Sequence, residues 1–335
     1  MKHVAVLGAG AWGTALAKLL AEKGNRVTLW AIEPDVAESI ERAHENRYLP
    51  GVALPASLGA TTDPAQALTD ATMVVLVIPS HATRGALREV GKLLPRGVPI
   101  VSATKGIEND SLMLMHEVLR DELGDERLGW YTALSGPSFA KEVALRHPTA
   151  VVVAGGLPDV VATVQAAFSS DVFRAYSSDD LVGVEIGGAL KNVIAIAAGA
   201  ADGLGFGYNT RAALITRGLA EIARVAVAKG ASPLTIAGLA GLGDLVLTCT
   251  GELSRNRTIG FELGRGKRLD DAIRELGHVA EGVKTAQSAR DLSRKLGVDM
   301  PITEQVYLAL FADKPARDVV SELMGRALRP EIDFA

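Results

Sequence analysis

Near the start of this 335-residue chain a strand, three spaced glycines and a helix stand in immediate succession. Val4-Ala5-Val6-Leu7 is a continuous apolar run, Gly8-Ala9-Gly10-Ala11-Trp12-Gly13 follows, and Thr14-Ala15-Leu16-Ala17-Lys18-Leu19-Leu20 has amphipathic helical spacing. This is G-x-G-x-x-G in the strand-to-helix setting that a dinucleotide pyrophosphate needs. Gly8 is expected to make the tight turn, Gly10 to let the backbone approach the pyrophosphate, and Gly13 to let the helix pack on the strand. The helix N-terminus then stabilises the phosphate charge. The alternative is a glycine-rich turn in an ordinary α/β protein; the strand before and the helix after favour nucleotide binding.

A second strand candidate ends just before Ala31-Ile32-Glu33, which puts Glu33 twenty residues past Gly13, where a carboxylate can bond the adenosine ribose hydroxyls. That placement favours NAD over NADP. Beside Pro34, Glu33 reads equally well as a solvated acid opening the next helix.

The chain then keeps alternating. Short β-branched runs at 4–8, 27–30, 73–78, 99–102, 131–134, 150–153 and 172–176 are strand candidates, with helical patterns such as 14–23 and 112–123 between several of them. Near-continuous apolar strands imply a parallel sheet covered on both faces. After Ser177-Ser178-Asp179-Asp180, residues suited to turns and helix caps, strand-like runs mostly stop. Ala, Leu, Arg and Glu at helical spacing take over, interrupted by glycines near Gly203, Gly241 and Gly264. The expected architecture is α/β: an N-terminal Rossmann-type parallel-sheet domain over residues 1–180 and an all-helical domain over residues 181–335.

Lys191 stands out in the helical half, inside Gly187-Gly188-Ala189-Leu190-Lys191-Asn192-Val193. Gly188, Lys191 and Asn192 share one helical face, and a lysine surrounded by apolar residues would resist charging, which suits acid-base work. The alternative is a lysine that snorkels out of a core helix. Asp244 sits among small residues in Gly241-Leu242-Gly243-Asp244-Leu245 and alone decides little. Ser254-Arg255-Asn256-Arg257 collects donors suited to a phosphate monoester, or else is a solvated surface run.

Together these residues resemble the bacterial NAD(P)-dependent glycerol-3-phosphate dehydrogenases. The resemblance rests on GAGAWGTAL (8–16), IPSH (78–81), ATKGIE (103–108), SGPSFAKE (135–142), GVEIGGALKNVIAIAAGAADGLGFG (183–207), GLGDLVLTCT (241–250), SRNR (254–257) and EG (281–282). It implies reversible hydride transfer between a nicotinamide cofactor, NAD or NADP, and the C2 carbonyl of dihydroxyacetone phosphate, giving sn-glycerol 3-phosphate for membrane lipid synthesis. By position it implies Lys191 as proton acceptor for the alcohol and donor for the ketone. It implies Lys105 as a lysine reaching substrate and cofactor, whose charge helps keep Lys191 from full protonation, and Asp244 as the acid that balances and orients them. Substrate contacts would come from Lys105, Gly136, Ser138, Lys191, Asp244, Ser254, Arg255 and Asn256. Cofactor contacts would come from Gly8, Gly10, Ala11, Trp12, Gly13, Ile32, Glu33, Lys105, Ala140, Arg255, Val279 and Glu281. The resemblance also implies a cleft that closes between the two domains. Two positions depart from the family pattern: Ala11 replaces a frequent serine, and Ile32 replaces a His or Arg that some members carry near the ribose. The second departure leans the expectation toward NAD.

Composition narrows the rest. The net charge of −4 arises from 35 basic and 39 acidic side chains that are interspersed, so no nucleic-acid-binding face is expected and no metal site is proposed. Cys249 is the one cysteine, which points to a cytoplasmic protein, and no apolar run is expected to span a membrane. The expected partners are a small-molecule substrate and, by resemblance, a second copy in a homodimer. Two rival readings stand beside this one: a two-domain dehydrogenase acting on another hydroxy acid or opine, and a non-catalytic cofactor-sensing protein on the same fold.

Overall fold

The computed structural model describes residues 2–277, 280–328, 330 and 331. The chain divides into two compact units. The first comprises the chain up to Lys105 together with Met113–Val184, and the second comprises Gly106–Leu112 together with the chain from Glu185 onward.

The first unit holds strands β1 (His3–Leu7), β2 (Arg26–Trp30), β3 (Leu58–Thr61), β4 (Met73–Leu76), β5 (Ile100–Ser102), β6 (Tyr131–Ser135), β7 (Thr149–Gly155) and β8 (Phe173–Ser178). Helices α1 (Ala11–Glu22), α2 (Pro34–Ala43), α3 (Pro64–Leu68), α4 (Ser80–Val90), α5 (Met115–Leu123), α6 (Asp125–Leu128), α7 (Ala140–Ala144) and α8 (Pro158–Phe168) alternate with them. The sheet order is β3-β2-β1-β4-β5-β6-β7-β8. The strand order reverses between β1 and β4, so the crevice at their carboxyl ends is where a doubly wound sheet receives a nucleotide. Every residue of β1 and β4 is buried, consistent with helices on both faces.

The sheet departs from expectation in two places. β7 runs antiparallel to β6, with Leu134 opposite Val153, because only the five-residue α7 lies between them and no long helix covers a crossover. β3, with the sequence LGAT, was not anticipated: its glycine and alanine carry little strand propensity, and it forms by pairing with β2 at the sheet edge.

The second unit is built from helices. Helix α9 (Leu181–Gly203) crosses from the first unit into it; then come α10 (Tyr208–Ala228), α11 (Pro233–Ile236), a π-turn (Leu239–Gly243), α12 (Asp244–Thr250), α13 (Arg255–Gly264), α14 (Leu269–Leu276), α15 (Glu281–Leu296), α16 (Pro301–Phe311) and α17 (Ala316–Met324). Asp180 opens α9 by accepting a hydrogen bond from the Gly183 amide at 2.8 Å. Two stretches, Leu181–Gly203 and Pro233–Thr250, are long and apolar enough to cross a membrane by length and composition. The first has 83% of its apolar window buried inside the protein, and the second is broken into α11, the π-turn and α12. A helix apolar all round is buried in a core as readily as in lipid.

The glycines of the helical half bring helices together. A β-carbon on Gly199 or Gly203 of α9 would lie 2.0 or 2.2 Å from the carbonyl oxygens of Arg257 and Phe261 on α13. On Gly260 or Gly264 of α13 it would lie 2.0 or 2.3 Å from those of Ile196 and Ala200. The two backbones therefore touch, which anchors α13 and the SRNR segment that opens it.

Glu221 of α10 is a buried carboxylate that caps another helix. It accepts hydrogen bonds from the Ile302 and Thr303 amides at 2.6 and 3.1 Å and from the Thr303 hydroxyl at 3.0 Å, giving acceptors to amides that the first turn of α16 leaves unpaired. Burial pushes its pKa up to about 7, against the opposing pull of those donors and of Arg224. Because the folded value lies above the unfolded one, stability from this group is full below about pH 4.5 and is lost as pH rises toward 7. The whole effect is of order 3 kcal/mol, at about 1.4 kcal/mol per pKa unit. Glu221→Gln is expected to flatten the fall in melting temperature across that window relative to the parent; parallel curves would show that Glu221 does not titrate there.

Candidate active site

At the nucleotide end of the first unit, Gly8 adopts φ +120°, and a β-carbon there would lie 2.4 Å from the Val77 carbonyl oxygen. A β-carbon on Gly13 would lie 1.9 Å from the Gly8 carbonyl oxygen, so only glycine lets α1 start this close to the strand. Gly10, the N-cap of α1, is exposed, and a β-carbon there would meet nothing within 4 Å. The indole N–H of Trp12 is buried and finds no acceptor among the described residues. An open backbone cradle at a helix N-terminus, with an orphaned buried donor beside it, fits a dinucleotide. Ala11 is the first residue of α1, where the backbone amide is available in place of a serine hydroxyl. Glu33 is the N-cap residue of α2 yet makes no side-chain cap, and its carboxylate instead accepts a hydrogen bond from the Tyr48 hydroxyl at 2.9 Å. Glu33 thus opens α2 beside Pro34, as the alternative reading has it, with a half-buried carboxylate bonded to Tyr48. Ile32 is 76% exposed.

Also in the first unit, Lys105, Gly136 and Ser138 converge. The Gly136 carbonyl accepts hydrogen bonds from Lys105 Nζ at 3.2 Å and from the Ser138 hydroxyl at 2.9 Å. Gly136 has φ +143°, and a β-carbon there would lie 2.9 Å from the Cα of Val151, so the loop after β6 turns where only glycine fits. Thr104 fastens the lysine's strand end by donating to the Ile78 carbonyl at 2.7 Å. Ala140 begins α7 and packs against the apolar core of this unit.

In the second unit, Lys191 does not snorkel. It is 6% exposed on α9, and Nζ donates to Asp244 Oδ1 and to the Thr248 hydroxyl, the latter at 2.9 Å. The environment is thus an ion pair rather than the purely apolar one that the flanking sequence suggests, and the 1%-exposed Asp244 offsets the cost of burying the ammonium. The π-turn just before α12 brings the pair together: a β-carbon on Gly187, one turn before Lys191, would lie 2.6 Å from the Ala240 carbonyl oxygen. Thr248 was not singled out in the sequence, although it follows Asp244 by one helical turn, so its hydroxyl reaches both the Asp244 carbonyl at 2.6 Å and Lys191. Burial pushes the neighbouring Cys249 thiol up to about 12, so it stays protonated.

The SRNR segment is not a solvated run, and its four side chains have different surroundings. Ser254 is the N-cap of α13 and accepts from the Arg257 amide at 3.2 Å. Arg257 pairs with Asp202, which also holds Arg211. Asn256 is buried; it donates to Asn192 Oδ1 and accepts from the Gly282 amide, both at 2.9 Å. Its amide therefore ties α9 to the start of α15, one residue from Glu281. Arg255 alone of the four is exposed, with no polar contact to a described residue. Glu281 is the first residue of α15. Val279 lies outside the described residues.

Family models described as the N-terminus and the C-terminus of NAD-dependent glycerol-3-phosphate dehydrogenase match residues 3–159 and 180–321. A protein of Geobacter sulfurreducens named glycerol-3-phosphate dehydrogenase [NAD(P)+] is 55% identical over 331 residues, covering 98% of this chain and 99% of that protein. One of the same name from Myxococcus xanthus is 53% identical over 328 residues, covering 98% of each. A crystal structure of glycerol-3-phosphate dehydrogenase from Coxiella burnetii superposes with a TM-score of 0.93 at 40% identity, covering 97% of this chain and 99% of that one. By sequence and by fold, this chain belongs to the NAD-dependent glycerol-3-phosphate dehydrogenase family.

Proposed function

We propose that this protein is an NAD(P)-dependent glycerol-3-phosphate dehydrogenase that interconverts dihydroxyacetone phosphate and sn-glycerol 3-phosphate. The observation that carries the reading is the buried Lys191 ammonium held between Asp244 and Thr248. The nicotinamide cofactor, when bound, supplies hydride to C2 of the ketone or accepts it from the alcohol. Lys191 gives its proton to the C2 oxygen as the ketone is reduced, and the neutral amine takes that proton back when the alcohol is oxidised. Asp244 fixes the ammonium's direction, while Thr248 limits its swing. Lys105, Gly136 and Ser138 are assigned to the substrate, as is Arg255, whose exposed guanidinium suits a phosphate.

Gly8, Gly10, Ala11 and Gly13 are assigned to the pyrophosphate and Trp12, Ala140, Val279 and Glu281 to the rest of the cofactor, with Ile32 and Glu33 at the adenosine ribose. Ser254 and Asn256 are assigned to orienting Arg255, since the one caps its helix and the other fixes that helix to α9. The two units are taken as the nucleotide-binding and substrate-binding domains, in a cytoplasmic enzyme whose expected assembly is a homodimer.

Steady-state rates with dihydroxyacetone phosphate against NADH and NADPH test substrate and cofactor together. Turnover is expected with the phosphorylated ketone and to be far weaker with dihydroxyacetone. Equal turnover of the two ketones would favour a dehydrogenase of another hydroxy compound, and tight NADH binding without oxidation would favour a cofactor sensor.

A further inference from the structure

The family and its cofactor leave open how this chain treats the one group that separates NADP from NAD, the 2′-phosphate. Three consecutive residues that no sequence motif singled out bear on it. Asn46, buried in the loop after α2, donates to the Ala9 carbonyl at 2.9 Å and to the Thr14 hydroxyl at 2.8 Å, which straps that loop onto the glycine loop and the first turn of α1. Its own Oδ1 accepts from the Tyr48 amide at 2.9 Å and so fixes the next residues. Tyr48 then donates its hydroxyl to Glu33. Arg47 lies over the Tyr48 ring at 5.1 Å, reaches the Tyr48 hydroxyl at 3.4 Å, and pairs with Asp35 of α2. The order in space is Glu33, Tyr48, Arg47, Asp35, all at the end of β2 where the ribose carboxylate stands.

We propose that Arg47, brought beside Glu33 by Tyr48 and the Asn46 strap, is the residue that receives the 2′-phosphate of NADP and so sets this enzyme's choice between the two cofactors. This rests on the cofactor reading above. A ribose with free hydroxyls needs only an acceptor, which Glu33 provides. A 2′-phosphate brings nearly two negative charges toward Glu33 and Asp35 and requires a cation to balance them. Ile32 offers none. Arg47 can turn from Asp35 to the phosphate at small cost, because its side chain is 51% exposed and that of Asp35 is 65% exposed, so their pairing is weak. A guanidinium also matches phosphate geometry with two parallel donors, and the Tyr48 ring keeps its plane oriented. Asp35 therefore acts as a competitor that holds Arg47 when NAD is bound.

The test is calorimetric binding of ADP-ribose and of 2′-phospho-ADP-ribose to the full chain and to two variants. Arg47→Ala is expected to weaken the phosphorylated ligand relative to ADP-ribose by about tenfold or more, the size of one charge-assisted contact. It should also reduce the salt dependence of that ligand's Kd. Asp35→Asn should move the ratio the other way, by about threefold, as a surface pair is released. A ratio that stays within about twofold of the parent in both variants overturns the assignment while leaving the cofactor reading intact. A parent protein that binds neither ligand overturns both.

Discussion

Lys191→Ala is expected to lower kcat by about 10² or more, measured at saturating NADH and dihydroxyacetone phosphate, because the proton donor to the C2 oxygen is lost from the transition state. The same change leaves the 1%-exposed Asp244 carboxylate buried without its ammonium. Breaking a buried pair from one side costs roughly 3–5 kcal/mol of stability, so a drop in activity could reflect misfolding. A second variant separates the two effects. In Lys191→Ala/Asp244→Asn the uncompensated charge is gone, and the asparagine can still bond the Thr248 hydroxyl. Melting temperature should return most of the way to that of the parent, while kcat stays about 10² down. If the double variant regained turnover with stability, Lys191 would be a structural lysine and the proton would have to come from elsewhere. A single variant with kcat within a few-fold of the parent would also remove it from the chemistry.

Which parts of this were legible in the sequence follows from how far apart the interacting residues lie. The glycine loop was readable because turn, cradle and helix start occupy six consecutive residues, each constrained by its own backbone. Lys191 is visible as an oddity among apolar neighbours, but the partner it bonds, Asp244, lies 53 residues away and is delivered by a π-turn that no periodicity marks, so only the family resemblance pairs the two. Thr248 was hidden for the same reason, since the i, i+4 step from Asp244 means something only once Lys191 is known to sit over that helix. In the sheet, β3 has Thr61 as its one β-branched residue and forms by pairing with its neighbour, and the reversed sense of β7 lies in the short connection rather than in the strand. The Asn46-Arg47-Tyr48 strap had no local signal, because its meaning lies in a loop that returns to Ala9 and Thr14.

Arg255→Ala is expected to raise the KM for dihydroxyacetone phosphate by about tenfold to 100-fold, the loss of one or two charge-assisted hydrogen bonds. Arg255 is the SRNR side chain proposed for the phosphate because the other three have partners within the protein: the Ser254 hydroxyl caps α13, Arg257 is paired with Asp202, and the Asn256 amide bridges Asn192 and Gly282. The penalty should therefore depend on the phosphate itself. With dihydroxyacetone, which lacks that group, kcat/KM should be nearly the same for Arg255→Ala and the parent, and the difference between the two substrates measures the contact. Asn256→Ala should behave differently. It leaves the Gly282 amide without an acceptor in a buried position, so its first effect should be a lower melting temperature, by an amount that reflects about 1–3 kcal/mol. Kinetic losses in that variant should follow from a displaced α13 and should fall on both ketones. If Arg255→Ala instead raised KM equally for the phosphorylated and unphosphorylated ketone, its guanidinium would be acting on the cofactor or on α13, and the phosphate would need another receptor.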